Sequence, residues 1–203
     1  MSPLSAIFER NAQWARERTE ADPAYFERLA KQQTPELFWI GCSDSRVSAN
    51  VIAGLDPGEV FVHRNVANLV YTADLNCMSV LQFAVEVLKV KHVIVTGHYG
   101  CGGVRAALQG TAEGLIDYWL EPVKELARER RAELASLTGD DARIDYLCEA
   151  NVRAQVRNVA NSPIVRRAWE RGQDVTLHGW IYGLDRGLLH DLGCGCSGPE
   201  HKG

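Results

Sequence analysis

The sequence has no long apolar run and no excess of positive charge. None of its hydrophobic stretches approaches the roughly 20 residues that a helix needs to cross a bilayer, so we expect no membrane span. The net charge of the 203 residues is −4, which gives no electrostatic reason to expect a nucleic-acid partner. The first residues also lack the basic segment and following apolar segment of a secretory signal. We therefore expect a cytoplasmic protein.

The chain also lacks internal repeats, a clear linker and the composition of a small disulfide scaffold. Its six cysteines are spread over 203 residues, of which 46% are hydrophobic and 24% charged. A chain of this size can bury a substantial core without disulfides. We expect one domain over residues 1–203, in which each cysteine is a core residue, a metal ligand or a nucleophile. The glycine-rich end, residues 193–203, is predicted to be a flexible tail.

Hydrophobic periodicity predicts strands that alternate with helices. The predicted strands are 37–42, 59–64, 91–98 and 174–184. The predicted helices are 4–19, 22–33, 74–90, one from 104 onwards, and most of 114–171. We predict that the charge run 127–133 is a solvated helix face. The alternation predicts an α/β fold with a mainly parallel central sheet flanked by helices, in which sites form outside the carboxyl ends of the strands.

Reactive side chains cluster where two of these strands end. Cys42, Asp44 and Arg46 follow the strand at 37–42, and His98 and Cys101 follow the strand at 91–98. Two thiols and an imidazole suit zinc, which keeps a fourth position open in catalytic sites. Taken singly, each residue is as easily a packed core thiol or a hydrogen-bonded histidine. A buried carboxylate and arginine are costly unless they are paired or functional, which favours a site.

The two clusters together resemble the β-class carbonic anhydrases. That family's signature is C-x-D-x-R and H-x-x-C-G-G, and this chain has CSDSR at 42–46 and HYGCGG at 98–103. The segments QTP at 33–35 and FVHRNVAN at 61–68 also match, and the resemblance extends over residues 1–192. It implies one zinc ion per subunit, held by Cys42, His98 and Cys101. It further implies a catalytic dyad of Asp44 and Arg46, with Gln33 donating a hydrogen bond to substrate.

The implied reaction is the reversible hydration of carbon dioxide to bicarbonate and a proton. Asp44 has two possible positions in this scheme. When Asp44 pairs with Arg46, the fourth coordination position of the metal is open and the site is active. When Asp44 itself occupies that position, the site is closed. Opening exchanges the carboxylate for hydroxide and releases one proton, so the balance shifts about tenfold per pH unit. Alkaline conditions are expected to favour the active form.

A bicarbonate-regulated bacterial subgroup of the family, type II, has a non-catalytic bicarbonate pocket. Trp39, Arg64 and Tyr182 lie in sequence contexts that match this pocket. The resemblance implies that bicarbonate bound there stabilises the closed state by linkage. The alternative is that the two aromatic residues are only core residues and that the arginine forms a structural ion pair.

The resemblance also implies how the substrate cleft and the assembly are built. The cleft residues implied are Phe61, Val66, Phe83 and Gly102. In the family the cleft lies at a dimer interface, so we expect a homodimer or a homotetramer built as a dimer of dimers. The N-terminal helical arm, residues 1–34, is expected to pack on a partner subunit. Ser48 stands where the family commonly has proline, and Phe83 where many relatives have tyrosine.

Other functions are consistent with the same motif. One is a carbon disulfide or carbonyl sulfide hydrolase on the same scaffold, because those relatives keep the zinc motif. Another is a non-catalytic zinc protein, and a third is a thiol hydrolase that uses Cys42 and His98. In the tail, Cys194, Cys196 and His201 lie outside the resemblance.

Overall fold

A computed structural model describes residues 4–198 of the chain. The chain divides into two compact units, one that ends at Thr34 and one that begins at Pro35. Among the described helices, none combines the length and the apolar character needed to cross a bilayer.

The N-terminal unit is a pair of helices, α1 (Ser5–Ala21) and α2 (Tyr25–Lys31). Trp14 of α1 packs edge-on against Phe26 of α2, with ring centroids 5.6 Å apart. The second helix begins later than predicted, because the Asp22 carboxylate accepts a hydrogen bond from the Ala24 N–H and forms a turn before it. Leu4, which precedes α1, and Ile7 and Phe8 on α1 are exposed.

The second unit is built on a five-stranded sheet in the order β2-β1-β3-β4-β5. The strands are β1 (Leu37–Cys42), β2 (Val60–Asn65), β3 (His92–His98), β4 (Thr176–Gly183) and β5 (Leu188–Asp191). Neighbouring strands are parallel except β4 and β5. The prediction of an α/β fold with a mainly parallel sheet is confirmed.

Helices in this unit follow the strands. They are α3 (Ala49–Ala53), α4 (Leu75–Gln82), α5 (Gly102–Gln109), α6 (Leu115–Trp119), α7 (Glu121–Glu129), α8 (Arg131–Ser136), α9 (Asp140–Asn161) and α10 (Pro163–Glu170). The main core lies on one face of the sheet, where Phe38 and Ile40 of β1 join residues of α4, α5, α9 and α10. A smaller cluster on the other face contains Trp39, Ala49 and Ile94.

Two predicted helical stretches are less regular than the sequence suggests. Asp74 caps α4 by accepting a hydrogen bond from the Asn76 N–H. The predicted helix 74–90 then continues as a π-helical turn over Phe83–Val87, with the Leu88 N–H bonded to the Phe83 carbonyl. The charge run 127–133 spans two helices that meet at Arg130.

The glycine-rich end differs from the expected flexible tail. Cys196 exchanges two backbone hydrogen bonds with Leu177 of β4, and the Leu192 N–H bonds to the Gly179 carbonyl. Residues 193–198 therefore continue along the edge of β4. The rest of the predicted tail, including His201, lies outside the described residues.

Candidate metal and active site

The predicted metal ligands meet at the carboxyl ends of two adjacent parallel strands. Cys42 ends β1, His98 ends β3, and Cys101 precedes α5. The two Sγ atoms are 3.9 Å apart, and one ligand atom from each of the three residues lies within 4.8 Å of the others. All three side chains are buried. The fold thus brings together residues that are 59 positions apart in sequence.

The orientation of His98 leaves one ring nitrogen available. Its Nδ1 lies 3.0 Å from the Tyr99 carbonyl oxygen; a carbonyl can only accept, so Nδ1 carries the hydrogen. The other nitrogen, Nε2, is buried and has no hydrogen-bond partner among the described residues. A buried lone pair that faces two thiols is a costly arrangement without a further partner. This donor set fits zinc.

The two thiols share one hydrogen bond, and their pKa values separate in opposite directions. The hydrogen bond from Cys101 lowers the pKa of Cys42 to about 4, assisted by the backbone N–H groups of Asp44 and Ala67. The same hydrogen bond, together with burial, raises the pKa of Cys101 above its usual range. The shared hydrogen bond therefore favours one thiolate in the pair over two. A bound metal ion would favour deprotonation of both.

Asp44 and Arg46 form a bidentate ion pair beside these ligands. Arg46 donates from Nε to Oδ1 at 2.9 Å and from Nη2 to Oδ2 at 2.7 Å. Its backbone N–H also donates to Oδ1, at 3.0 Å. These bonds hold the pKa of Asp44 well below its usual range. The Oδ2 atom also lies 3.7 Å from Nε2 of His98, so the carboxylate sits between the guanidinium and the ligand cluster.

A strained loop after β2 contacts the site through the Ala67 N–H, which hydrogen-bonds to the Cys42 sulfur, and the supports of this loop were not predicted from the sequence. Ala67 and Asn68 have positive φ angles of 64° and 46°, which non-glycine residues rarely adopt. The buried Asn151 of α9 holds this conformation by donating to the Ala67 carbonyl at 2.9 Å. Gln155 accepts from the Val70 N–H at 2.9 Å. The only sequence signal was the match of FVHRNVAN at 61–68.

Comparison with known proteins identifies the family. The family model described as "Carbonic anhydrase" matches residues 37–189. The solved structure of the Coccomyxa β-carbonic anhydrase in complex with acetazolamide is similar, with a TM-score of 0.93 and 44% sequence identity, covering 98% of this chain and 90% of that one. The chain belongs to the β-class carbonic anhydrase family. It is therefore an enzyme of that family, as the sequence motifs predicted.

Fungal and bacterial relatives of this β-class enzyme match over most of its length. A carbonic anhydrase of Emericella nidulans is 48% identical over 186 residues, which are 92% of this chain and 82% of the relative. One from Pseudomonas aeruginosa is 36% identical over 193 residues, 91% of this chain and 83% of the relative. A tetrameric β-carbonic anhydrase from Sordaria macrospora has a TM-score of 0.92 at 38% identity, covering 97% of this chain and all of that one. These matches establish the family but not the bacterial subgroup.

The residues predicted for a bicarbonate pocket lie on one face of the sheet. Arg64 of β2 lies opposite Gly41 of β1. Gly41 is two residues after Trp39, so Arg64 and Trp39 lie on the same face of the sheet. Gly41 also lies opposite Thr96 of β3, and Thr96 lies opposite Trp180 of β4. Tyr182, two residues after Trp180, is therefore on the same face. Trp39 is buried and packs edge-on against Trp180, with ring centroids 5.9 Å apart. Arg64 donates to the Cys42 carbonyl at 2.8 Å and to the Asp44 carbonyl at 2.6 Å.

The predicted cleft residues lie in the second unit. The rings of Phe61 and Phe83 are 5.7 Å apart. Phe83 and Val66 are exposed, at 42% and 37%, and Gly102 is the first residue of α5. Gln33 belongs to the N-terminal unit, where it follows α2.

Proposed function

We propose that this chain catalyses the zinc-dependent, reversible hydration of carbon dioxide to bicarbonate and a proton. The observation that carries this proposal is the buried Cys42–His98–Cys101 cluster, with its unpartnered imidazole nitrogen, next to the Asp44–Arg46 pair. Cys42, His98 and Cys101 would hold one zinc ion per subunit. When bound, zinc supplies the Lewis acidity that makes hydroxide available near neutral pH.

The chain's own residues provide a hydrogen-bond acceptor beside the metal cluster. Arg46 is always protonated and keeps Asp44 ionised. An ionised carboxylate only accepts hydrogen bonds, so Asp44 can accept the hydrogen of the attacking oxygen and leave that oxygen's lone pair free to reach the carbon of CO2. Arg46 thus fixes both the charge and the direction of the acceptor.

The other substrate contacts are an apolar wall and an amide. Phe61, Val66, Phe83 and Gly102 form the proposed cleft, and their apolar surface suits CO2, which has no charge and no net dipole. Gln33 is the proposed hydrogen-bond donor to bound substrate. A Gln33→Ala variant should therefore raise the KM for CO2 without changing the zinc content.

Asp44 is also the proposed switch between open and closed sites. Its pairing with Arg46 in this structure supports the proposed open arrangement. In the closed state Asp44 would leave Arg46 and take the fourth position on the metal. Return to the open state requires hydroxide, so alkaline pH favours activity, by about tenfold per pH unit.

Trp39, Arg64 and Tyr182 are the proposed non-catalytic bicarbonate pocket, as in the bicarbonate-regulated type II subgroup. Three observations support it. The Trp39 Nε1 atom lies close to Gly41: a Cβ atom added at Gly41 would be 2.6 Å from that nitrogen. Gly41 lies opposite Arg64 in the strand register. On the same face, the Thr96 hydroxyl is buried without a hydrogen-bond partner among the described residues. Bicarbonate that captured Arg64 would compete with the Cys42 and Asp44 carbonyls, which would release the loop that holds Asp44.

The proposed assembly is a homodimer or a homotetramer, in which the N-terminal helical arm packs on a partner subunit. The exposed Leu4, Ile7 and Phe8 at the start of the arm support this arrangement, as does the tetrameric Sordaria macrospora relative. A cytoplasmic location remains the prediction from the sequence.

A direct comparison of substrates tests the activity. Zinc-loaded protein should hydrate CO2 with a kcat/KM far above its values for carbonyl sulfide and carbon disulfide. A preference for either sulfur compound would favour the alternative hydrolase on the same scaffold. Full zinc occupancy without any turnover would indicate a non-catalytic zinc protein.

A further inference from the structure

A polar cavity of about 660 Å³ opens beside Arg46, and none of its lining residues belongs to β1 or β2. Its walls come from the loop after β3, α5, the N-terminal half of α9, the β4–β5 turn and β5. The lining residues are Arg46, Tyr99, Gly100, Arg105, Asp141, Asp145, Gly183, Leu184, Asp185, Arg186 and His190. The cavity thus connects a member of the proposed catalytic dyad with the molecular surface.

The proposed reaction requires a route for protons. Each hydration of CO2 forms one C–O bond and breaks one O–H bond of water, so one proton must leave per turnover. Asp44 does not provide an outward exit for that proton, because both of its carboxylate oxygens are held by the Arg46 guanidinium, at 2.9 and 2.7 Å. A base that accepts protons near neutral pH is needed farther out.

Most of the titratable groups that face the cavity are unsuited to this task. Its three arginines, at positions 46, 105 and 186, stay protonated. Tyr99 donates its hydroxyl hydrogen to Glu149, and burial raises the pKa of Tyr99 above its usual range. The three aspartates are engaged: Asp141 with Arg105, Asp145 with the Gly100 N–H, and Asp185 with Arg186. The remaining titratable group is the imidazole of His190.

The position of His190 suits a proton acceptor. It pairs with Ile181 of β4, and Ile181 pairs with Gly97, the residue before the proposed ligand His98. Two strand spacings separate its backbone from the end of β3, or about 10 Å, a distance that a few cavity waters span. His190 is also exposed, so its ring can exchange protons with buffer. Imidazole is the side chain that does so near neutral pH.

We propose that His190 is the proton-transfer residue of this enzyme and that the cavity beside Arg46 is its proton path. The inference rests on the proposed function. The proton released from water passes through cavity water to the free lone pair of the His190 imidazole. The imidazolium then gives the proton to a buffer base, and the ring returns to its starting state. Nothing is oxidised or reduced.

Steady-state kinetics of a His190→Ala variant test the proposal. At low buffer concentration, kcat for CO2 hydration should fall about tenfold or more, because proton transfer limits kcat. The kcat/KM for CO2 should stay at the wild-type value, since it reports the steps up to bicarbonate formation. Imidazole added as buffer should restore kcat in the variant. Zinc content and circular dichroism should match the wild type.

Two controls make the result specific. His178→Ala removes a histidine that does not line the cavity. Its kcat should not depend on added imidazole. Carbethoxylation followed by peptide mass spectrometry should modify His190 but not the buried His63 and His98, whatever the activity.

Three results would overturn the inference. One is an unchanged kcat in His190→Ala at every buffer concentration. Another is an equal loss of kcat and kcat/KM without rescue, which is the signature of a structural role. The third is a His190 ring that the reagent does not reach. A wild-type protein that fails to hydrate CO2 would instead overturn the proposed function, and this inference with it.

Discussion

The Arg64 guanidinium donates a 2.6 Å hydrogen bond to the backbone carbonyl of Asp44. Arg64 lies on the sheet face that carries Trp39 and Tyr182, whereas the Asp44 carboxylate points to Arg46 and the ligand cluster. This bond therefore connects the proposed regulatory pocket to the proposed catalytic dyad through a single arginine. A ligand that draws Arg64 away alters the support of the loop over residues 43–46.

Replacing Arg64 tests that connection. In Arg64→Ala, bicarbonate inhibition should weaken by about tenfold, since the coupling between two sites is commonly of that size. Zinc content should not change, because Arg64 does not belong to the ligand cluster. The measurement is the inhibition constant of bicarbonate at fixed pH. Arg128→Ala removes an exposed arginine paired with Glu121 and should leave inhibition unchanged. Undiminished inhibition in Arg64→Ala would place the regulatory pocket elsewhere.

Asp44→Asn separates catalysis from metal binding. The amide has nearly the same shape as the carboxylate but loses the negative charge and presents N–H donors. We expect kcat/KM for CO2 to fall by about a hundredfold or more, while zinc content stays at one per subunit because Cys42, His98 and Cys101 remain. Stopped-flow kinetics and elemental analysis provide the two readouts. Asp117→Asn, a surface position paired with Lys124, is the matched control. An active Asp44→Asn enzyme would remove Asp44 from the mechanism.

The Asp44–Arg46 pair should also contribute to stability in a pH-dependent way. Because Arg46 lowers the pKa of Asp44 in the folded state, the folded protein binds fewer protons at this group than the unfolded chain. The contribution is present above the unfolded pKa of about 3.9 and is lost as the pH falls through the lower folded value. Urea unfolding of wild type and Arg46→Gln should therefore differ most above about pH 4. The difference should shrink on further acidification; a difference that grew would contradict the assigned direction.

Asn151 should be necessary for the site although it does not belong to the ligand cluster. It is 1% exposed and donates to the Ala67 carbonyl, and the Ala67 N–H in turn supports the Cys42 sulfur. Asn151→Leu leaves buried polar groups unpaired, which should cost about 1–3 kcal/mol of unfolding free energy. Zinc affinity, measured by chelator competition, should also fall. Asn161→Leu changes an exposed asparagine at the end of the same helix and should have neither effect. Wild-type zinc affinity in Asn151→Leu would mean that Ala67 keeps its position without that support.

The sequence predicted the metal cluster because its position follows from simple rules. The largely apolar runs over residues 37–42 and 91–98 predict buried parallel strands, whose carboxyl ends lie at the same edge of the sheet. The structure adds that these two strands are neighbours, which brings Cys42 and His98 together. The residues that support this cluster cannot be predicted from local sequence patterns. The Asn151–Ala67 bond joins residues 84 positions apart, and the positive φ angle of Ala67 contradicts its own backbone preference. The π-helical turn at Phe83–Val87 likewise has no local signal.

The end of the chain makes backbone hydrogen bonds that its composition does not indicate. Its glycines favoured flexibility, yet Cys196 pairs with Leu177 along β4. Composition predicts the behaviour of a segment in isolation. It does not take into account the unpaired N–H and C=O groups of a strand edge, to which the segment can hydrogen-bond.

Stopped-flow CO2 hydration by the zinc-loaded protein, measured from about pH 7 to about pH 9, tests the central claim most directly. The account predicts catalysed hydration that is low near neutrality and rises steeply toward alkaline pH, which is the profile expected of the proposed Asp44 switch. The absence of catalysis at every pH, with zinc bound, would contradict the assignment of this site to CO2 hydration.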